Sequence, residues 1–180
     1  MCGIVGMVNF DRNPVSLELL KRMTDAISHR GPDGEGVYSD GPIGLGHRRL
    51  AIIDLSAAGH QPMITEDRRY ALTYNGEIYN FQELRTELER LGYQFRSKTD
   101  SEVVLYSYAE WGEKCLDRFN GMFAFAIWDC KKSELFLARD RYGIKPLYYC
   151  FINNSFLFAS EHKLNVEQWL KNNMNGCVNG

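Results

Sequence analysis

Apolar residues at positions 4, 5, 7, 8 and 10, ending at Asp11-Arg12, predict a strand over residues 4–10 that starts almost at the chain's first residue. From Ser16 the period changes. Leu19, Leu20, Met23, Ala26 and Ile27 recur at three and four, the stripe of a helix that Ser16 can cap. It should run to about His29, where Gly31-Pro32-Asp33-Gly34 stops it. Short strands are expected over 36–38, 43–53 and 70–74, the last followed by Asn75-Gly76 and a brief extended piece over 77–79. Asn80 with Glu83 has the form of a capping box; Phe81, Leu84, Leu88 and Leu91 make one helix face and Gly92 a stop. A third helix is expected from Asp100, with Glu102 in its first turn, as far as Gly112.

The last third changes character. Residues 122–128, Met-Phe-Ala-Phe-Ala-Ile-Trp, form an unbroken apolar run between Gly121 and Asp129, the pattern of a strand buried on both faces. A strand over 134–139 pairs with it across the polar turn 130–133, and strands over 147–152 and 155–160 flank the hairpin signal Asn153-Asn154. Strands at both ends of the chain with helices between them indicate an α+β domain, and a sheet apolar on both faces must be covered on each side. Residues 165–180 predict a short helix on Val166, Trp169 and Leu170, then a frayed tail.

Composition mainly excludes. A hydrophobic fraction of 44% in 180 residues suits one globular domain with a sizeable core. A formal charge of −2 supplies no broad basic field for nucleic acid or anionic lipid. No apolar run reaches the roughly 18 residues that span a bilayer, and the opening stretch is too short for a signal peptide and lacks its basic flank. Five cysteines, at 2, 115, 130, 150 and 177, show neither metal-ligand spacing nor a disulfide framework, which fits a reducing cytoplasm. The four histidines have no metal-binding spacing, and no Walker-type phosphate loop occurs. Nucleic acid, membrane and metal are therefore not expected as partners.

Candidate chemistry begins at Cys2. Removing Met1 would place a thiol and a free α-amine on one residue. Their ordinary pKa values are about 8.5 and about 7.7–8.0, so a neutral amine can take the thiol proton and no catalytic histidine is required. The bland alternative is a packing cysteine. Asn75-Gly76 can aim a side-chain amide and a sterically open backbone N–H at one point, as an oxyanion hole does; it is equally a type I′ hairpin signal. In His47-Arg48-Arg49, alternation sends the two arginines to opposite faces, so one can enter a cleft as a carboxylate clamp while the other is solvated. Asp100 reads first as a helix N-cap and second as a partner for a substrate ammonium.

Several motifs then fall in one order: Met1-Cys2-Gly3-Ile4, His29-Arg30-Gly31-Pro32-Asp33, a run over 46–54, Gln61-Pro62-Met63, and Tyr74-Asn75-Gly76-Glu77-Ile78-Tyr79-Asn80. Thr99-Asp100-Ser101-Glu102, Gly121-Met122-Phe123-Ala124-Phe125 and a run over 138–148 complete the set. Each alone is weak or moderate; the ordered set is specific. Over residues 2–163 it resembles the glutaminase domain of class II glutamine amidotransferases, which are N-terminal-nucleophile hydrolases, and most closely the asparagine synthetase branch.

That resemblance implies a four-layer αββα sandwich in which mature Cys2 attacks the side-chain amide of glutamine. Asn75 and the Gly76 N–H would stabilise the tetrahedral intermediate, and a γ-glutamyl thioester would be hydrolysed to glutamate with release of ammonia. By motif position Arg49 grips the substrate α-carboxylate, while Glu77 and Asp100 bind its α-amino end. No cofactor is implied in this domain. ATP and magnesium belong to the synthetase domain that follows it in asparagine synthetases and activates aspartate. Residues 164–180 diverge from the family pattern, so that domain is expected to be absent and the ammonia to pass to a separate domain or subunit. Two rivals stand beside this reading: an amidase of the same fold with another substrate, and a catalytically silent regulatory module. Paired groups for a carboxylate and an ammonium favour an amino-acid substrate over the first. Retention of Cys2, Asn75, Gly76 and Arg49 opposes the second.

Overall fold

The computed structural model describes residues 1–51 and 56–162. Strand β1 (Gly3–Asn9) leads into helix α1 (Leu17–Ala26), then β2 (Gly34–Asp40) and β3 (Ile43–Arg49). A short β4 (Met63–Ile64) and a long β5 (Tyr70–Ile78) precede helices α2 (Phe81–Arg90) and α3 (Asp100–Trp111). The remaining strands are β6 (Gly121–Asp129), β7 (Glu134–Arg139), β8 (Tyr148–Ile152) and β9 (Ser155–Ala159). They form two antiparallel sheets, ordered β2-β3-β1-β9-β8 and β4-β5-β6-β7.

Side-chain alternation builds the layers. On β6, Phe125 and Ile127 face α2 and α3, where they join Leu72, Leu84, Leu88 and Val104. Ala124, Ala126 and Trp128 face the opposite sheet and pack with Ile4, Leu45 and Phe158. Helix α1 covers the outer face of the first sheet, setting Leu20, Met23 and Ile27 on Val5, Met7 and Leu157. The result is the αββα arrangement, with the two-faced apolar strand in its interior as its sequence requires. Near one end the sheets are also joined by polar bonds, Thr73 Oγ1 to the Gly46 carbonyl at 3.1 Å and His47 Nε2 to the Tyr74 carbonyl at 3.1 Å.

Several elements depart from expectation. Helix α1 ends at Ala26, and a 3-10 turn over Ser28–Arg30 replaces its last turn. Strand β2 starts at Gly34, inside the presumed stop, and β4 was not anticipated. Asn75-Gly76 makes no hairpin: β5 runs straight through it, with Asn75 opposite Ala124 and Gly76 opposite Phe123 on β6. A nine-residue pairing register overrides the local turn signal. Asn80 precedes α2 but gives it no side-chain cap. It donates to the Arg118 carbonyl and accepts from the Asn120 N–H, each at 3.0 Å, tying α2 to the entry of β6. Thr99, not Asp100, caps α3, its hydroxyl accepting from the Glu102 N–H at 3.4 Å. Strand β3 stops at Arg49; of the longer strand expected over 43–53, residues 52–53 lie outside the described residues, as do the helix and tail expected after 165. No helix among the described residues is long and apolar enough to cross a membrane.

Candidate active site

The beginning of the chain is pinned by three contacts. The Ile4 N–H donates to Ser160 Oγ at 3.0 Å and the Ser160 N–H returns a bond to the Ile4 carbonyl at 2.9 Å. Arg30 Nε donates to the Cys2 carbonyl at 3.0 Å while its Nη1 pairs with Glu161 at 3.1 Å. Cys2 therefore sits at a fixed point just before β1, its Sγ accepting from the Leu50 N–H at 3.4 Å. Burial pushes the thiol pKa up, while the Leu50 N–H, the chain's amino terminus and Arg49 pull it back.

Across the sandwich, β5 supplies an open edge. Backbone N–H groups of a strand alternate in direction, so those of residues 74, 76 and 78 point to the same side, away from β6. Gln61 Oε1 accepts from the Tyr74 N–H at 2.7 Å, and Asp100 Oδ2 accepts from the Ile78 N–H at 3.0 Å. Between these two capped positions the Gly76 N–H faces the site. A side chain there would put its Cβ 2.6 Å from the Met122 carbonyl and 2.8 Å from the Tyr74 hydroxyl, so only glycine fits. The adjoining Asn75 is 2% exposed, and its buried Nδ2 has no hydrogen-bond partner.

These parts meet in one cavity of about 150 Å³. Cys2, Arg49, Asn75, Gly76, Glu77 and Asp100, the six residues singled out in the sequence, all line it. Arg49 and Arg48 part as alternation predicts. Arg48 turns to α1 and β2, pairing with Asp25 and Glu35, whereas Arg49 lines the cavity and anchors Nη1 on the Ser56 carbonyl at 2.9 Å. Gly59 lets that guanidinium pass: a Cβ there would stand 2.3 Å from Arg49 Nη2.

Asp100 is 4% exposed. Freed from cap duty, it accepts from the Tyr74 hydroxyl at 2.6 Å. Burial raises its pKa, and the bonds from Tyr74, Ile78 and nearby backbone N–H groups hold that rise in check. Glu77 stays exposed beside it. His47, fully buried, has its pKa pushed down to about 3 by desolvation, so it stays neutral and serves as the bridge between sheets, in line with a structural histidine.

The cavity residues without an assigned role in the sequence include Gln61, Tyr74, Ser101 and Lys145. Gln61, which also donates to Ser101 Oγ at 3.2 Å, does the work of a neighbouring strand along the open edge of β5. The first three and Lys145 all lie in the ordered motifs, but only the tertiary pairing shows what each side chain faces. Among the described residues no group of three or more His, Cys, Asp or Glu side chains is placed to hold a metal ion.

Comparison with known proteins identifies related sequences and a shared fold. The sequence profile of the glutamine amidotransferase domain matches residues 1–176. Asparagine synthetase [glutamine-hydrolyzing] 3 of Bacillus subtilis is 48% identical over 166 residues, which cover 91% of this chain and 27% of that protein. Asparagine synthetase B of Escherichia coli is 41% identical, over 91% of this chain and 29% of its own length. An amidase of Gibberella zeae, chry2, is 39% identical over 91% of this chain and 26% of that protein. The chain thus spans about a quarter of the curated relatives it matches. Among solved structures, the glutamine phosphoribosylpyrophosphate amidotransferase of B. subtilis shares the fold, with a TM-score of 0.77 at 21% identity over 91% of this chain and 42% of that one. On the profile match and these identities, the chain belongs to the glutamine amidotransferase domain family.

Proposed function

We propose that this chain hydrolyses glutamine to glutamate and ammonia, with Cys2 as an N-terminal nucleophile after Met1 is removed. The observation that carries the reading is the meeting, in one cavity, of the Cys2 thiol, the unpartnered Asn75 Nδ2 and the edge N–H of Gly76. In the mature site the thiol proton passes to the α-amine as sulfur bonds to the amide carbon. The oxygen that gains charge there is stabilised by Asn75 and Gly76. Collapse breaks the C–N bond, the ammonium returns its proton to the leaving nitrogen, and ammonia departs from a thioester that water then opens to glutamate. Arg49 suits the substrate's α-carboxylate, while Glu77 and Asp100 suit its α-ammonium. No cofactor takes part in these steps.

The glutamine-hydrolysing asparagine synthetases among its relatives support a further step: the ammonia is delivered to an amide-forming synthetase domain or subunit, whose ATP and magnesium would be bound there. Four described cysteines are free thiols, which supports a reducing cytoplasmic setting. The match to an amidase favours a second reading, hydrolysis of another amide on the same frame.

Intact mass and a glutaminase assay test the proposal. Protein beginning at Cys2 should release glutamate from glutamine faster than it releases amine from simple N-acyl amides, and Cys2→Ala should abolish both. Mature protein that turns over only the N-acyl amides would establish the second reading, and one that turns over neither would refute both.

A further inference from the structure

Lys145 is a cation that the six-residue site does not use. It is 6% exposed and lines the cavity. The loop that carries it is built for rigidity. Asp140 accepts backbone N–H bonds from Tyr142 at 3.1 Å, Ile144 at 2.9 Å and Lys145 at 3.0 Å, and Arg139 Nε donates to the Lys145 carbonyl at 2.7 Å. The ammonium ends 3.5 Å from Met1 Sδ, a weak acceptor on the residue that maturation would remove. Among the described residues, no carboxylate lies within ion-pair distance of it.

The charges around the future amine explain why a cation is needed there. Glu77 on β5 and Asp100 on α3 are carboxylates in the cavity wall. Both favour the protonated, non-basic form of an amine beside Cys2. Arg49 is bonded to the Ser56 carbonyl and Arg30 to the Cys2 carbonyl and Glu161. Five covalent bonds separate Met1 Sδ from the Cys2 nitrogen, so the Lys145 ammonium stands within about 10 Å of it.

We infer that Lys145 is a positioning residue for the mature nucleophile: its ammonium holds the α-amine of Cys2 in the neutral form that accepts the thiol proton, offsetting the two carboxylates that suit the substrate's ammonium. This rests on Cys2 becoming the N-terminus, as in the proposed function. At this range an unpaired cation lowers the amine pKa by about one unit.

The amine is titrated directly in Met1-free protein carrying Cys2→Ala, so that no thiol titrates alongside it, by following the 13Cα resonance of residue 2 in [13C]alanine-labelled samples. Lys145→Met should raise the amine pKa by about one unit and Lys145→Arg should leave it in place. In protein retaining Cys2, the acid limb of kcat/KM for glutamine should move up by the same interval in Lys145→Met, with the alkaline plateau kept. An amine pKa that is the same in Lys145→Met, or equally raised in Lys145→Arg, overturns the assignment. A shifted amine in a protein whose Cys2 form never hydrolyses glutamine overturns the glutaminase reading and leaves the assignment of Lys145 intact.

Discussion

Truncating Asn75 separates catalytic from structural use of a buried amide more sharply than any other change in the site. In the folded protein Nδ2 is enclosed and unpartnered, a state that weighs against the native structure by about 1–3 kcal/mol. Asn75→Ala removes that burden and forfeits the packing of a small side chain, about 1–2 kcal/mol. The two offset, so stability should fall by no more than about 1 kcal/mol and can rise by up to about 2 kcal/mol. Catalysis has no such compensation. If Nδ2 meets its partner only when an oxyanion forms, its loss should lower kcat by about 10²–10³-fold and leave KM nearly unchanged. Urea unfolding measured on the Cys2→Ala background gives the first quantity, and coupled detection of glutamate gives the second. A stability loss above about 3 kcal/mol would mean that the amide has a structural partner in the native state. A kcat within about tenfold of the parent would mean that it does not face the reacting oxygen.

Two more substitutions probe the walls of the cavity and the bridge behind it. Arg49→Ala should raise KM for glutamine by about 10–100-fold with kcat kept within a few-fold, and Arg49→Lys should recover only part of the loss because an ammonium lacks the planar fork; a fall in kcat at unchanged KM would remove Arg49 from substrate binding. His47 titrates near 3 when folded against an ordinary 6.5, so the unfolded chain takes up a proton first as pH falls. Its contribution is complete above about pH 6.5 and lost toward acid, roughly 3 kcal/mol by pH 4. His47→Gln should reduce the difference between urea stabilities at pH 7 and pH 4 by about that amount, and an unchanged difference would place the acid sensitivity elsewhere.

The sequence was most legible where one physical demand acted alone. The two-faced run of β6 had only burial to satisfy, and it is the interior strand it was read to be. Arg48 and Arg49 part by simple alternation. Legibility failed where a residue serves a partner distant in sequence. Asn75-Gly76 carries a strong turn signal, yet pairing with Ala124 and Phe123 straightens it. Asn80 has a capping residue's chemistry but spends its amide on Arg118 and Asn120. Asp100 lies one residue past the cap, and that single step gives Tyr74 and Ile78 its carboxylate. Lys145 in a sequence is one lysine among many; only the Asp140 loop aims it inward.

All of these but Asn80 line one cavity, and the location is informative. A chain selected for stability alone would not leave a buried amide unpartnered, interrupt a nine-residue strand with glycine and bury a carboxylate beside a tyrosine. Here all three stand at Tyr74, Asn75 and Gly76 of β5 and the helix start facing them. The surrounding bonds hold this region in place. Ser160 and Arg30 hold the first strand, Gln61 and Asp100 satisfy the edge on either side of Gly76, and neutral His47 ties the two sheets together behind it. On the proposed function, a fixed donor without a partner, as Asn75 Nδ2 is, would be pre-set for a charge that has yet to form, which is how a hydrogen bond acts on a transition state more than on a ground state. The same rigidity explains why the site draws on both sheets. The Cys2 thiol at the edge of one and the donors at the edge of the other keep their separation because the packed interior between them does not yield.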